Sequence, residues 1–266
     1  MKIQEVGTLD VPQLKPYLTL RRPHEHIQQG IFVAEGEKVV QRLLRSGLPV
    51  VSLLLTPKWF EELSEKYSLD GPDIYIADKV LLESIVGFSL HQGIMAVGRV
   101  PEEPNLLELL RKFVSPFLVV ALDGIVSAEN VGVIVRNSGA FGVNAILVDK
   151  TSSSPYLRRA VRNSMGAVFR LPILHLNLPE ALPKLGCKVI AATPNSDQTL
   201  QDAEFNGSLC LVFGNEGSGI SAEVLEQCSV RVAIPMLNET DSLNVASASA
   251  VFLYEVRRKA AQASRL

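Results

Sequence analysis

Short apolar runs alternate with polar, glycine- and proline-bearing stretches along the whole chain, and their spacing changes from one segment to the next. In Phe32–Gly47 (FVAEGEKVVQRLLRSG) the apolar residues Val39, Val40, Leu43 and Leu44 recur at helical spacing, with Gly47 as a C-terminal stop. PVVSLLLTP is an apolar run bounded by prolines and predicts a buried strand; DIYIAD and GIMAVGRV predict two more. Pro101–Pro104 reads as a linker and Asn105–Phe113 as a short helix, with the domain boundary near 105–115. Beyond it, strands are predicted at Phe117–Leu122, Ala145–Val148, Lys188–Ala192, Leu209–Phe213 and Val230–Ile234. Helices are predicted at Val131–Phe141, after a Ser154–Pro155 N-cap, and over Asn244–Arg258. Continuous apolar strands alternating with helices imply an α/β fold with a mostly parallel sheet covered on both faces. The expected domains are 1–100, a linker at 101–114, and 115–266.

Composition narrows the class without naming a partner. Of 266 residues, 47% are hydrophobic and 20% charged, which excludes a disordered or fibrous chain. A net charge of -2 demands no nucleic acid, so any such partner must be argued locally. No apolar run approaches the roughly 18 residues of a membrane span. The N-terminus MKIQEVGTLD lacks a secretory apolar core, so a cytoplasmic protein without membrane attachment is expected. Cys187, Cys210 and Cys228 show no C-x-x-C spacing; they read as buried free thiols, and no metal is expected.

Chemistry concentrates after three predicted strands, where open α/β sheets bind ligands. In DGIVSAENVGVIVRNSGAFG, Asn130 is a candidate N-cap and Gly132 permits close backbone approach. Arg136 stands among apolar residues, which predicts a buried guanidinium in a structural ion pair or an anion clamp. LVFGNEGSGIS places Asn215 and Glu216 between Gly214, Gly217 and Gly219, but it is not the G-x-G-x-x-G dinucleotide fingerprint. That argues against a nucleotide-dependent oxidoreductase. In the third cluster, Ser242-Leu243-Asn244 opens a helix whose first turns are small residues, leaving unpaired N–H groups for a polar ligand or for close packing.

Taken in order, the clusters resemble the three motifs of the SpoU family of RNA methyltransferases, in the SPOUT superfamily. Asn130, Gly132 and Arg136 match N-x-G-x-x-x-R. Gly214, Glu216, Gly217 and Gly219 match G-x-E-G-x-G. Ile234-Pro235-Met236 and Ser242–Val245 match I-P-M and S-L-N-V. RNSMGAVFRLPI, residues 162–173, looks like the stretch between motifs. The chain departs from the family with Ser127–Ala128 where Asp-Pro is frequent, and with Asn238 where glycine is frequent. Upstream, FVAEGEKVV and HQGIMAVG resemble the family's substrate-binding domain, which is similar to RNA-binding ribosomal proteins.

The resemblance implies a C-terminal α/β domain with a trefoil knot, a homodimer sharing its active site, S-adenosylmethionine as cofactor, and methylation of an RNA ribose 2′-hydroxyl. It assigns catalysis to Arg136, Asn130, Glu216, Ser242 and Asn244. Cofactor binding falls to Gly214, Asn215, Gly217, Ile234, Met236, Leu243 and Asn244. RNA contacts are expected from Arg21 and Arg22, with His24 and His26, and from Arg158, Arg159 and Arg162; His91 and His175 are expected to be structural or surface residues. The N-terminal domain is expected to supply RNA affinity but no chemistry. A non-catalytic RNA-binding homologue acting in ribosome assembly is the alternative from another class, and a base-nitrogen methyltransferase is another. Whether the substrate is tRNA or rRNA stays open.

Overall fold

A computed structural model describes residues 2–20, 22–86, 93–196 and 198–263. Arg21 and His91 lie outside the described residues, while His24 is exposed. The chain forms two units: Met1–Glu102 with Tyr156–Phe169, and Glu103–Pro155 with Arg170–Leu266.

The first unit is built on a sheet of β1 (Ile3–Glu5), β2 (Ile31–Glu35), β3 (Val50–Leu55), β4 (Asp73–Ile76) and β5 (Ile94–Arg99), in the order β1-β4-β3-β5-β2. The β1·β4 and β3·β4 pairs are parallel; β5 runs antiparallel to β3 and β2. Its helices are α1 (Lys15–Leu18), α2 (Pro23–Gln29), α3 (Glu37–Leu44), α4 (Pro57–Lys66) and α5 (Lys79–Val86). The three predicted strands are present. The helical reading from Phe32 is corrected: Ile31–Glu35 is a strand with all five residues buried. Gly36 (φ 92°) breaks the chain direction before α3, which buries Val39, Val40 and Leu43. The core holds Leu14, Tyr17, Val33, Leu54, Tyr75, Met95 and Val97. Inside it the Tyr17 hydroxyl meets Ser52 Oγ at 2.8 Å, and burial pushes the Tyr17 phenol well above its usual range.

Residues Tyr156–Phe169 belong to this unit through β2. They include α8 (Arg158–Asn163), preceded by Leu157 at the N-cap without a side-chain bond. Ser154–Pro155 is therefore not the helix cap. The buried Tyr156 carries the chain past it before the helix turns, its ring 5.7 Å from Phe32. Phe32 also stacks on Phe169 at 5.3 Å. Glu35 is 9% exposed and accepts from Arg158 Nη1 at 2.5 Å and from Arg162 Nη1 at 3.5 Å.

The second unit carries a wholly parallel seven-stranded sheet, in the order β10-β12-β9-β11-β6-β7-β8. The strands are β6 (Leu118–Asp123), β7 (Ala145–Asp149), β8 (Ile173–Leu176), β9 (Lys188–Ala192), β10 (Gln198–Thr199), β11 (Leu209–Gly214) and β12 (Val230–Ala233). The helices are α6 (Leu106–Arg111), α7 (Ala128–Ala140), α9 (Leu178–Ala181), α10 (Ala222–Leu225) and α11 (Val245–Ala263). β6 and β11 are buried at every position, as strands covered on both faces must be. Asn105 caps α6, whose Leu109 joins the core with Val119, Leu147, Val189 and Val212. Glu103 accepts from the His175 backbone N at 2.9 Å and meets its Nδ1 at 2.5 Å. Burial pushes the Cys187 and Cys228 thiols up to about 11 and holds Cys210 well above the usual thiol range, so all three stay protonated at neutral pH.

Gly98 lies opposite Phe32 in the β2·β5 register, and a Cβ there would come within 2.4 Å of the Phe32 ring. Gly98→Ala is expected to destabilise the protein by about 1–3 kcal/mol through overpacking. Urea denaturation of Gly98→Ala, Phe32→Leu and the pair should show strong non-additivity, because the smaller side chain vacates the space; additive losses would contradict this cause.

Candidate active site

The C-terminal ends of β9, β11 and β12 open onto one cleft of about 560 Å³. Its wall includes Thr193–Asn195, Gly214–Ile220, Ile234, Met236 and Asp241–Val245, with Phe213, Ala248 and Phe252 below. A parallel sheet ends all its strands at the same edge, so loops distant in sequence converge there.

The loop after β11 is shaped by Asn215. Its Oδ1 accepts from the backbone N of Gly217 (2.8 Å) and Ser218 (3.0 Å), and its Nδ2 donates to the Gly124 carbonyl (2.8 Å). Asn215 and Gly219 exchange backbone hydrogen bonds at 2.9 and 3.0 Å. Gly214 is required by this closure: a Cβ would stand 2.5 Å from the Gly219 carbonyl carbon. Buried Asp123, at the end of β6, accepts from the Ser221 backbone N at 2.6 Å.

Asn130 joins the three motifs. Its Nδ2 donates to Glu216 Oε1, and its Oδ1 accepts from Asn244 Nδ2 at 3.1 Å. Asn244 Oδ1 in turn accepts from the backbone N of Ala246 (2.9 Å) and Ser247 (3.4 Å), capping α11. Asn130 is thus not the helix cap expected from the sequence. Ser127 fills that place and accepts from the Asn130 backbone N at 3.2 Å. A serine suffices as N-cap, so Ser127–Ala128 leaves the start of α7 intact. Asn238 takes φ 54°, the left-handed backbone that glycine would otherwise supply, and Glu239 follows at 56°. Farther along α7, Asn137 Nδ2 donates to Ala246 O (3.0 Å) and Ser249 Oγ (2.9 Å), pinning α7 to α11.

Arg136 differs from its expected setting. It is exposed, and its guanidinium makes no ion pair or hydrogen bond among the described residues; the buried salt bridge is excluded. Neither Arg136 nor Asn130 is among the residues that line the cleft. Six residues of helix turn the chain by about 600°, which leaves Arg136 and Asn130 about 120° apart around α7. Gly214, Asn215, Glu216, Gly217, Ile234, Met236, Ser242, Leu243 and Asn244 all line the cleft. Arg158 and Arg162 pair with Glu35 within the first unit, while Arg159 is exposed on the same helix and Arg22 pairs with Glu25 at 3.4 Å. His26 is buried against Thr19 and Pro16, which makes it a structural residue. Sequence reasoning missed Thr193-Pro194-Asn195, although a polar triplet at the end of a recognised strand was a usable signal. No group of three His, Cys, Asp or Glu among the described residues could hold a metal, and no described helix is long and apolar enough to cross a membrane.

Parallel α/β architecture with a cleft formed by these loops defines the class, and comparison with known proteins agrees. Residues 117–254 match the SpoU rRNA Methylase family. The chain belongs to that family. It is 32% identical over 270 residues to an uncharacterized tRNA/rRNA methyltransferase of Mycobacterium bovis, covering 97% of this chain and 93% of that one. It is 26% identical over 259 residues to the 23S rRNA (guanosine(2553)-2′-O)-methyltransferase RlmP of Bacillus subtilis, covering 96% and 100%. Among solved structures, the AdoMet-bound rRNA methyltransferase of Sinorhizobium meliloti superposes with a TM-score of 0.84 at 25% identity, covering 96% and 98%. The SpoU methyltransferase AviRb of Streptomyces viridochromogenes gives 0.82 at 25%, covering 95% and 99%.

The loop geometry generates one prediction. Asn215→Ala removes two acceptor contacts and one donor contact, so it should cost about 2 kcal/mol in chemical denaturation. Asn215→Asp should not recover this, since it sets a carboxylate oxygen against the Gly124 carbonyl; a fully stable Asn215→Asp protein would contradict the assignment.

Proposed function

We propose that this protein transfers a methyl group from S-adenosylmethionine to a ribose 2′-hydroxyl of RNA. The observation that carries the reading is the Asn130 bridge, which ties motif one to Glu216 of motif two and Asn244 of motif three, both in the wall of the cleft. The likeness to RlmP, named as a 2′-O-methyltransferase of 23S rRNA, favours a ribosomal RNA substrate.

The cleft suits this cofactor. It combines an apolar floor of Phe213, Ile220 and Phe252 for a purine with a polar wall of backbone groups and asparagines. The close approach at Gly214 packs the loop tightly enough that no side chain intrudes there. Gly214, Asn215, Gly217, Ile234, Met236, Leu243 and Asn244 would hold the cofactor, which supplies an electrophilic methyl carbon. Asn130, Glu216, Ser242 and Asn244 order the polar wall facing the ribose. Positioning of this kind supplies a large part of a barrier reduction. Arg136 binds the phosphate of the target nucleotide and stabilises negative charge developing on the 2′-oxygen. A guanidinium with a pKa above about 12 does not serve as the base, so the hydroxyl proton passes to solvent as the methyl group leaves the sulfonium, which becomes a neutral thioether.

Since Arg136 and Asn130 face different directions on α7, the complete site needs two copies, with Arg136 of one completing the cleft of the other. Exposed Val251 (39%) and Tyr254 (58%) on α11, beside α7, supply apolar surface for that homodimer. The loops after β11 and β12 are the place for the trefoil knot of this family. The first unit binds RNA, and the reaction runs in the cytoplasm without metal.

Two outcomes test the reading. S-adenosylmethionine should bind the full-length protein and raise its melting temperature, as any ligand of the folded state does; no heat and no shift at saturating cofactor would refute it. Arg136→Ala should lower single-turnover methylation by a factor of about 100 or more, and Arg136→Lys should recover little of it. Melting temperature and cofactor affinity should barely move, because the side chain is exposed and has no ion pair or hydrogen bond among the described residues. A folded Arg136→Ala protein with near-normal methylation removes the catalytic role.

A further inference from the structure

Within the second unit, α7 carries motif one and α11 begins in motif three, and polar contacts join the two helices at three levels. At the first, Asn130 Oδ1 accepts from Asn244 Nδ2 at 3.1 Å. At the second, Asn137 Nδ2 donates to the Ala246 carbonyl at 3.0 Å and to Ser249 Oγ at 2.9 Å. At the third, Arg257 Nε donates to Phe141 O at 2.6 Å and its Nη2 to Gly142 O at 2.5 Å. Early residues of one helix meet early residues of the other, and late meet late, so the two run parallel. Seven residues turn a helix through about 700°, which leaves Asn137 within about 20° of Asn130 around α7 and about 10.5 Å further along it. Both asparagines face α11.

Shape alone does little to fix how far α11 sits along α7. The first turns of α11 read Val245-Ala246-Ser247-Ala248-Ser249-Ala250, a surface of small side chains with shallow ridges. Helices hold their register by packing ridges into grooves, and shallow ridges resist sliding weakly. Directional hydrogen bonds supply what the packing lacks, since a polar group in a helix interface specifies register. Asn137 is half-buried and its partners are fixed: Ser249 is fully buried, and its Oγ donates to Ala246 O at 2.7 Å. A slip of one helical residue, about 1.5 Å, misaligns the Asn130–Asn244 bond and shifts Leu243 and Asn244 in the cleft wall.

Resting on the proposed reading of the cleft, we propose that Asn137 is a positioning residue. It sets the register of α11 on α7, and thereby presents Asn244 to Asn130 and Leu243 to the cofactor. Asn137 is not among the residues that line the cleft, so its contribution passes through α11.

The test uses the full-length protein. Asn137→Leu replaces the amide with an apolar side chain of similar size, and the Ala246 carbonyl keeps its bond from Ser249. The melting temperature should equal or exceed that of the wild type, as exchanges of interior polar contacts for apolar packing often do. The Kd for S-adenosylmethionine, read by calorimetry, should rise about tenfold, and single-turnover methylation at saturating cofactor and RNA should fall about tenfold, as small misplacements do. Because Asn137 acts through Asn244, the same exchange in an Asn244→Ala background should change the Kd by less than about twofold. Should the leucine variant fail to fold, Asn137→Ala carries the same measurements. Unchanged affinity in a folded variant, or a multiplicative loss in the double variant, overturns the inference; so does failure of both single variants to fold, which makes the contact purely structural. A wild type that binds S-adenosylmethionine but methylates no ribose overturns the proposed function, while the affinities still decide the register. An active wild type with unaffected variants overturns this inference alone.

Discussion

The side-chain amide of Asn130 is the constraint on which the cleft depends. It has one donor group and one acceptor, and it uses them on two different loops, giving to Glu216 and taking from Asn244. A carboxylate and an amide nitrogen could not exchange these places, because each offers only one half of the pattern. The Asn244 amide is fixed in turn, since its oxygen caps α11. The orientation of the wall follows from hydrogen-bond complementarity across three strand ends. The backbone supplies the rest: Gly214 allows the loop to close on Gly219, and Asp123 ties the loop after β11 to the end of β6.

The rest of the fold serves to hold those strand ends in register. Seven parallel strands place their carboxyl ends along one edge, and the continuous burial of β6 and β11 prevents slippage. Glycine and asparagine supply left-handed backbone where the loops need it. Charge is spent locally. Glu35 neutralises arginines beside β2, while Arg136 is left exposed, with no ion pair or hydrogen bond among the described residues.

Much of this was legible in the sequence. The long apolar strands announced themselves, because a strand covered on both faces needs an unbroken apolar run. The motif residues were also readable, since glycines and asparagines at strand ends carry no obvious core role. Other features were hidden for physical reasons. Phe32–Glu35 sits beside a strong helical periodicity at Val39–Leu44, and the period of the helix masked the strand. β8 and β10 are short, and β1 is a three-residue strand with little apolar content. Arg136 is flanked by valine and isoleucine, which suggested burial; in a helix those neighbours face the core while the arginine points away. The partners of Asn130 are 86 and 114 residues distant, and no local pattern encodes such pairs. The pairing of Glu35 with Arg158 was equally invisible, although Glu35 lies in a recognisable motif and Arg158 was a candidate RNA contact.

The proposed chemistry is decided most directly by which atom receives the methyl group. Ribosomal RNA from a strain lacking this protein, incubated with the purified enzyme and isotopically labelled S-adenosylmethionine, can be digested to nucleosides and resolved by mass spectrometry. Label on a ribose, as a 2′-O-methyl nucleoside with an unmodified base, at one position absent from the deletion strain and present in the parent, is the predicted result. Label on a base nitrogen or carbon, or no transfer to any RNA by a folded, cofactor-bound protein, would contradict it.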